Sequence, residues 1–140
     1  MCELVDGVMF GFLGWCAWSD WKTREIPVYM LVIYGMEAII FSIVCSEESL
    51  RSILGGMFLG VLFLFISKWT KEAIGYGDSW LISILGIYLG GMRLLWLLFM
   101  ASLCAGVSSF LYMCTHKWKR DTSLPFVPFM LIGYIGVMFL

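Results

Sequence analysis

The chain has 140 residues, of which 61% are hydrophobic, 17% aromatic and only 14% charged. Ordinary soluble domains are roughly half apolar and about a quarter charged, so composition excludes that class and points to a membrane protein. A formal net charge of -1, without an acidic or basic tail, offers no field for nucleic acid.

The N-terminus reads MCELVDG and carries no Lys or Arg. It lacks the positive region of a cleavable signal and is expected to be a first span that stays. Apolar runs occupy residues 4–18, 28–45, 53–67, 80–90, 94–114 and 126–140. They predict an all-α, polytopic helical bundle of about six transmembrane helices. At about 20 residues per crossing, six spans take roughly 120 positions, which leaves about 20 for connections and no room for a soluble domain. One membrane-embedded domain over residues 1–140 is expected. Several runs are shorter than a full crossing, the one after Gly75-Tyr76-Gly77-Asp78 most of all, so helices must extend into their flanks or be recessed.

Cations set the orientation. Lys22, Arg24, Lys68, Lys71, Lys117, Lys119 and Arg120 fall in the odd-numbered loops, and only Arg51 and Arg93 in the others. The positive-inside rule puts the odd loops in the cytoplasm and the N-terminus outside. Trp18, Trp21, Trp69 and Trp118 flank the same loops, as interfacial tryptophans do. These loop cations are read as headgroup anchors. The pairs Gly7/Gly11, Gly56/Gly60 and Gly86/Gly90 have the GxxxG spacing that lets helix backbones approach, read as packing within the bundle with dimerisation as the alternative. Oligomeric state is not set by the sequence.

Five scattered cysteines, without a CxxC pair or a histidine cluster, read as free thiols and not as a zinc site. The chain carries no nucleotide or dinucleotide motif, and His116 has no serine or cysteine nucleophile tied to it, so no metal and no cofactor is expected.

The carboxylates are more informative, because ionisable groups near hydrocarbon are costly. Asp20 follows the first apolar run and Asp78 precedes the fourth. Two crossings separate them, which returns the chain to the same face, so the two carboxyls can converge at the cytoplasmic surface. Paired aspartates can hydrolyse a peptide bond: one accepts a proton from the attacking water, and its protonated partner hydrogen-bonds the scissile carbonyl. Which one is the base is left open, because a coupled pair titrates as a unit. Gly75 and Gly77 keep the backbone beside Asp78 bare for substrate. Helix capping or pairing with Lys22, Arg24 or Lys71 is the structural alternative for the two aspartates. Glu37 lies about ten residues past Pro27, roughly 15 Å along a helix, and is read as an interior group bonded across helices. Asp6, near the outer surface, is expected to be simply solvated. Pro27 is read as a helix-start proline of the second span.

Taken together, SDWKTREIP, EAIGYGDSWL and LPFVPF, in this order, resemble the type IV prepilin peptidase family of membrane aspartyl proteases. The likeness covers almost the whole chain. Asp20, Arg24, Ile26 and Pro27 match the family's first aspartate segment, and Glu72, Ala73, Ile74, Gly75, Gly77 and Asp78 its GxGD segment. Leu124, Pro125, Phe126, Pro128 and Phe129 match a segment before its last helix. The resemblance implies Asp20 and Asp78 as catalytic residues, with Arg24, Pro27, Glu72, Gly75 and Gly77 shaping the site. It implies that prepilin or pseudopilin-like precursors lose their short basic leader at the cytoplasmic face of the cell membrane. Val28 and Trp80 depart from the family's usual Asn and Lys. The larger enzymes' insertion with two CxxC pairs has no counterpart here, so proteolysis without methylation is expected. The alternatives are a presenilin or signal-peptide-peptidase type of intramembrane protease, and a non-catalytic small transporter or assembly subunit.

Overall fold

The computed structural model describes residues 2–44, 49–70, 75–116 and 124–139, and within them the chain forms six α-helices and no strand. They are α1 (Cys2–Thr23), α2 (Val28–Val44), α3 (Leu50–Trp69), α4 (Tyr76–Leu89), α5 (Gly91–Thr115) and α6 (Val127–Met138). Each predicted apolar run yields one helix. The shortest described helix is α6, with 12 residues, and not α4, which has 14. The reason is local: Tyr76, Gly77 and Asp78 are themselves helical, so the polar segment is the first turn of α4 and not a loop ahead of it.

Local chemistry explains the ends. Arg24 adopts φ 55°, and its N–H donates to the Asp20 carbonyl at 3.0 Å, which stops α1 with a left-handed cap. That conformation costs an L-residue about 1 kcal/mol. The Ser19 and Thr23 hydroxyls both donate to the Glu25 carbonyl, at 2.9 and 3.3 Å, and pin the turn into α2. Pro27 stands just ahead of α2, where its carbonyl accepts from the N–H groups of Met30 and Leu31. Ser49 caps α3 by accepting from the Ser52 N–H at 3.4 Å. Gly90, at φ 78°, turns the chain from α4 into α5.

Helix α4 is the centre of the bundle. Leu81, Ile82 and Leu85 are fully covered, and the helix packs on α3, α2 and α5, while α6 joins α1 to α5. Glycines set the closest crossing: a Cβ on Gly56 would lie 2.0 Å from the Gly86 carbonyl oxygen, and one on Gly60 2.5 Å from Ser83. The expected close packing therefore holds for Gly56, Gly60 and Gly86. It fails for Gly7 and Gly11, which meet nothing within 4 Å, because they lie on the side of α1 turned away from its helix neighbours.

The exterior is apolar. Ile43, Leu50, Phe58, Trp69 and Phe110 are all exposed. Helices α3 and α5 are long and apolar enough to cross a membrane by length and composition, and α2 and α6 are apolar but shorter. The predicted anchors Lys71, Lys117, Trp118, Lys119 and Arg120 lie outside the described residues.

Candidate active site

Asp20 sits in the last turn of α1 and Asp78 in the first turn of α4, beyond the apolar runs 4–18 and 80–90. The two carboxyls line the same groove and interact electrostatically. Asp20 is buried, at 8% exposure, and its Oδ2 accepts the backbone N–H of Val127 at 3.3 Å. Val127 is the first residue of α6, so this contact brings a free amide of a helix N-terminus to an anion.

The surroundings of the two carboxyls differ. Burial pushes Asp20 above the ordinary carboxylate range, while the Val127 N–H and the Arg24 guanidinium pull it back. Asp78 is pushed up to about 6, first by burial and then by the charge of Asp20. Both effects oppose a second negative charge at the site.

Two motif segments touch. A Cβ on Gly77 would lie 3.2 Å from Ile26 Cδ1 and 3.3 Å from Ile26 Cβ, so the start of α4 rests directly on the residue before Pro27. Gly75 is different: its φ of -56° is ordinary for any residue, and a Cβ there would meet Asp78 Oδ2 at a normal 3.5 Å. Of the two glycines, only Gly77 is required by a close approach.

The carboxyls stand at the head of a groove of about 830 Å³ between α2 and α4. From α2 it is lined by Val28, Leu31, Val32, Gly35, Met36 and Ile39, and from α4 by Tyr76, Trp80, Ser83, Ile84 and Ile87. These positions recur at helical spacing over about 17 Å of each helix. Arg24, Glu25 and Ile26 close the polar end. Val28 and Trp80 both line this groove and make it apolar up to the carboxyls.

Among the predicted site residues, Asp20, Arg24, Gly75, Gly77 and Asp78 therefore come together, while Pro27 supports the turn without lining the groove. Glu72 lies outside the described residues. Glu37 is half-buried in α2 and is not part of the groove lining. Asp6 requires a correction: it is not simply solvated but accepts a hydrogen bond from the Tyr88 hydroxyl, because the start of α1 lies beside the end of α4. The Val127 amide was missed as a site group. Its signal is Pro128 inside a first turn, which marks a helix N-terminus with unpaired donors.

A helical bundle that aims two carboxyls into one apolar groove has the parts of a hydrolase acting beside a hydrophobic segment. The sequence profile of the type IV leader peptidase family matches residues 7–110, a stretch that includes both aspartates, and the chain belongs to this family of peptidases. It is 26% identical over 136 residues to the prepilin leader peptidase/N-methyltransferase of Dickeya chrysanthemi, covering 92% of this chain and 48% of that protein. The protein of the same description from Pectobacterium carotovorum subsp. carotovorum is 28% identical over 132 residues, covering 90% and 47%. The one from Legionella pneumophila is 33% identical over 82 residues, covering 56% and 29%. The chain thus spans about half the length of the first two. No solved structure matches it significantly.

Proposed function

We propose that this chain is an aspartic endopeptidase that removes the leader from prepilin-like precursors, with Asp20 and Asp78 as its catalytic pair. The observation that carries the reading is the convergence of these two carboxyls at the head of the α2–α4 groove. Family membership supports the substrate class, and the proposal covers the peptidase activity alone.

The chemistry follows from the different surroundings of the carboxyls. Asp20 holds a negative charge more easily, because the Val127 N–H and Arg24 stabilise its anion. Asp78 has burial and a neighbouring carboxylate against it, and so holds the shared proton. In the reactive form Asp20 takes a proton from water as the oxygen attacks the scissile carbonyl. Protonated Asp78 donates a hydrogen bond to the oxygen of the scissile carbonyl. As the tetrahedral intermediate collapses and the C–N bond breaks, the proton on Asp20 passes to the departing amine. No metal or cofactor enters this sequence.

The apolar groove suits the hydrophobic helix of a precursor, which would lie along α2 and α4 with its leader junction at the carboxyl end. An apolar exterior and the skewed loop cations support a six-span arrangement with the N-terminus outside and the pair at the cytoplasmic face of the cell membrane. The test is cleavage of a prepilin-like precursor by detergent-solubilised protein beside Asp20→Asn and Asp78→Asn. Wild-type cleavage at the leader junction, with both folded variants silent, is the expected result. Cleavage that survives either substitution would exclude the dyad. Failure of the wild type across a panel of precursors would exclude the substrate class.

A further inference from the structure

At the end of the bundle away from the carboxyl pair, three helices meet through polar side chains. The Tyr88 hydroxyl of α4 donates to Asp6 Oδ1 of α1. Tyr134 of α6 faces the same two groups and is itself almost fully buried. A hydroxyl and a carboxylate placed together among largely apolar helices make a directional tie, with Tyr134 of α6 and Arg93 of α5 lining the same pocket as Asp6.

The tie joins the two helices that carry the proposed catalytic carboxyls. Asp6 and Asp20 are fourteen residues apart on α1, and Asp78 and Tyr88 are ten apart on α4. The two helices run in opposite directions and share no extended interface: α1 packs mainly on α6, and α4 on α3, α2 and α5. Between the two ends, α1 is steadied by Phe12, which stacks on Tyr34 of α2 with ring centroids 3.9 Å apart. A helix packed along α6 and held at its middle by a ring stack gains a further constraint on its direction from a hydrogen bond at one end. That direction, together with the Val127 contact, sets where its other end lies.

We propose that Asp6, Tyr88 and Tyr134 form a clasp that fixes how α1 crosses α4 and thereby holds Asp20 opposite Asp78. Asp6 and Tyr88 are positioning residues: they touch neither substrate nor the reacting atoms. The functional half of this inference rests on the proposed peptidase reading, while the geometric half stands without it.

The experiment measures both. Spin labels introduced as non-canonical amino acids at the exposed positions Trp21 and Tyr76 report the distance between the carboxyl-bearing ends of α1 and α4 by pulsed electron resonance. The same backgrounds without labels are assayed on a prepilin-like precursor. Tyr88→Phe keeps the ring, which packs 5.0 Å from Phe41, and deletes only the hydroxyl. Asp6→Ala deletes the acceptor, and Asp6→Asn replaces it with a carboxamide oxygen that can still accept. Tyr88→Phe and Asp6→Ala are expected to broaden the distance distribution and to lower kcat about tenfold or more with little change in KM, since a misplacement of about 1 Å can cost up to a hundredfold. Asp6→Asn should keep the wild-type distribution and rate. An unchanged distribution in the deletion variants, or Asp6→Asn behaving as Asp6→Ala does, overturns the clasp. If Tyr88→Phe does not fold, Asp6→Ala and Asp6→Asn decide alone. If the wild type cleaves no precursor, the peptidase reading fails and the distances still decide the clasp.

Discussion

Gly77 and Gly75 belong to one short motif, yet the structure assigns them unequal tasks. In Gly77→Ala the new Cβ would meet Ile26 at 3.2 to 3.3 Å, and one of those contacts is the Ile26 Cβ, which cannot rotate away. Either α4 or the turn before Pro27 must give by a few tenths of an ångström. The overlap costs about 1 kcal/mol, and the replacement of a helical glycine by alanine returns about the same amount. Stability should therefore change by less than about 1 kcal/mol. Activity should not escape, because the shift falls one residue before Asp78; a fall of about tenfold in kcat is the expected size. Gly75→Ala should be close to neutral in activity, since φ is ordinary there and the nearest contact is a normal one.

The assay pairs a thermal melt with steady-state cleavage of a prepilin-like precursor for wild type, Gly75→Ala, Gly77→Ala and the double variant Gly77→Ala/Ile26→Val. Valine lacks Cδ1 and removes the tightest contact, so the double variant should regain part of the lost rate. Full activity in Gly77→Ala at an unchanged melting temperature would refute the claim that Ile26 positions the first turn of α4. So would a loss in Gly75→Ala as large as that in Gly77→Ala.

Gly56→Ala should destabilise the fold by about 2 kcal/mol or more and so lower the melting temperature, because its Cβ would overlap the Gly86 carbonyl oxygen of a neighbouring backbone that no rotamer can move; a wild-type melt would refute the packing. Arg24→Gly should relieve about 1 kcal/mol of left-handed strain and yet remove the cation that lowers Asp20, so the acid limb of the cleavage profile should move to higher pH, and an unmoved limb would count against that role. Asp78→Asn should be more stable than wild type at neutral pH. The folded state holds the Asp78 proton up to about pH 6 and the unfolded chain only to about 3.9, so the wild-type stability contribution is complete at acid pH and lost as pH rises through that window. Melts of the two proteins should converge near pH 4 and separate by about 1 to 3 kcal/mol at pH 7, and parallel melts across the range would show that Asp78 is not perturbed.

Part of this site could be read from the sequence, because the number of apolar helices between two residues decides whether they share an end of a bundle. Two helices, α2 and α3, lie between Asp20 and Asp78 in sequence, and both carboxyls line one groove. The groove was not legible for an equally physical reason: apart from Glu37 and Ser42, α2 is apolar around its circumference, so Val32, Met36 and Ile39 could not be told apart from residues facing protein. Gly7 and Gly11 show the limit of a spacing argument, since the same interval that packs Gly56 against Gly86 leaves them facing open space. Asp6 was misread because depth along a helix says nothing about the neighbour across from it, and Tyr88 lies 82 residues away in sequence. The Val127 amide is a backbone group, and no side-chain inventory could have counted it.

Each carboxyl is held by an element that carries neither. The start of α6 reaches Asp20 with an amide from 107 residues away, and the turn that closes α1 supports Asp78 through Gly77 and Ile26. The pair is thus braced from two directions, while the groove below it opens on the outside of the bundle, where Val32, Met36 and Ile39 are all exposed. In the proposed reaction these two features separate two physical demands. A hydrophobic helix can settle against α2 and α4 from the lipid side without the bundle coming apart. In that reaction the attacking water would come from the polar end, which Arg24 and Glu25 line. Hydrolysis beside a membrane needs both routes at once, and a site sunk in the middle of the bundle would have to open for each.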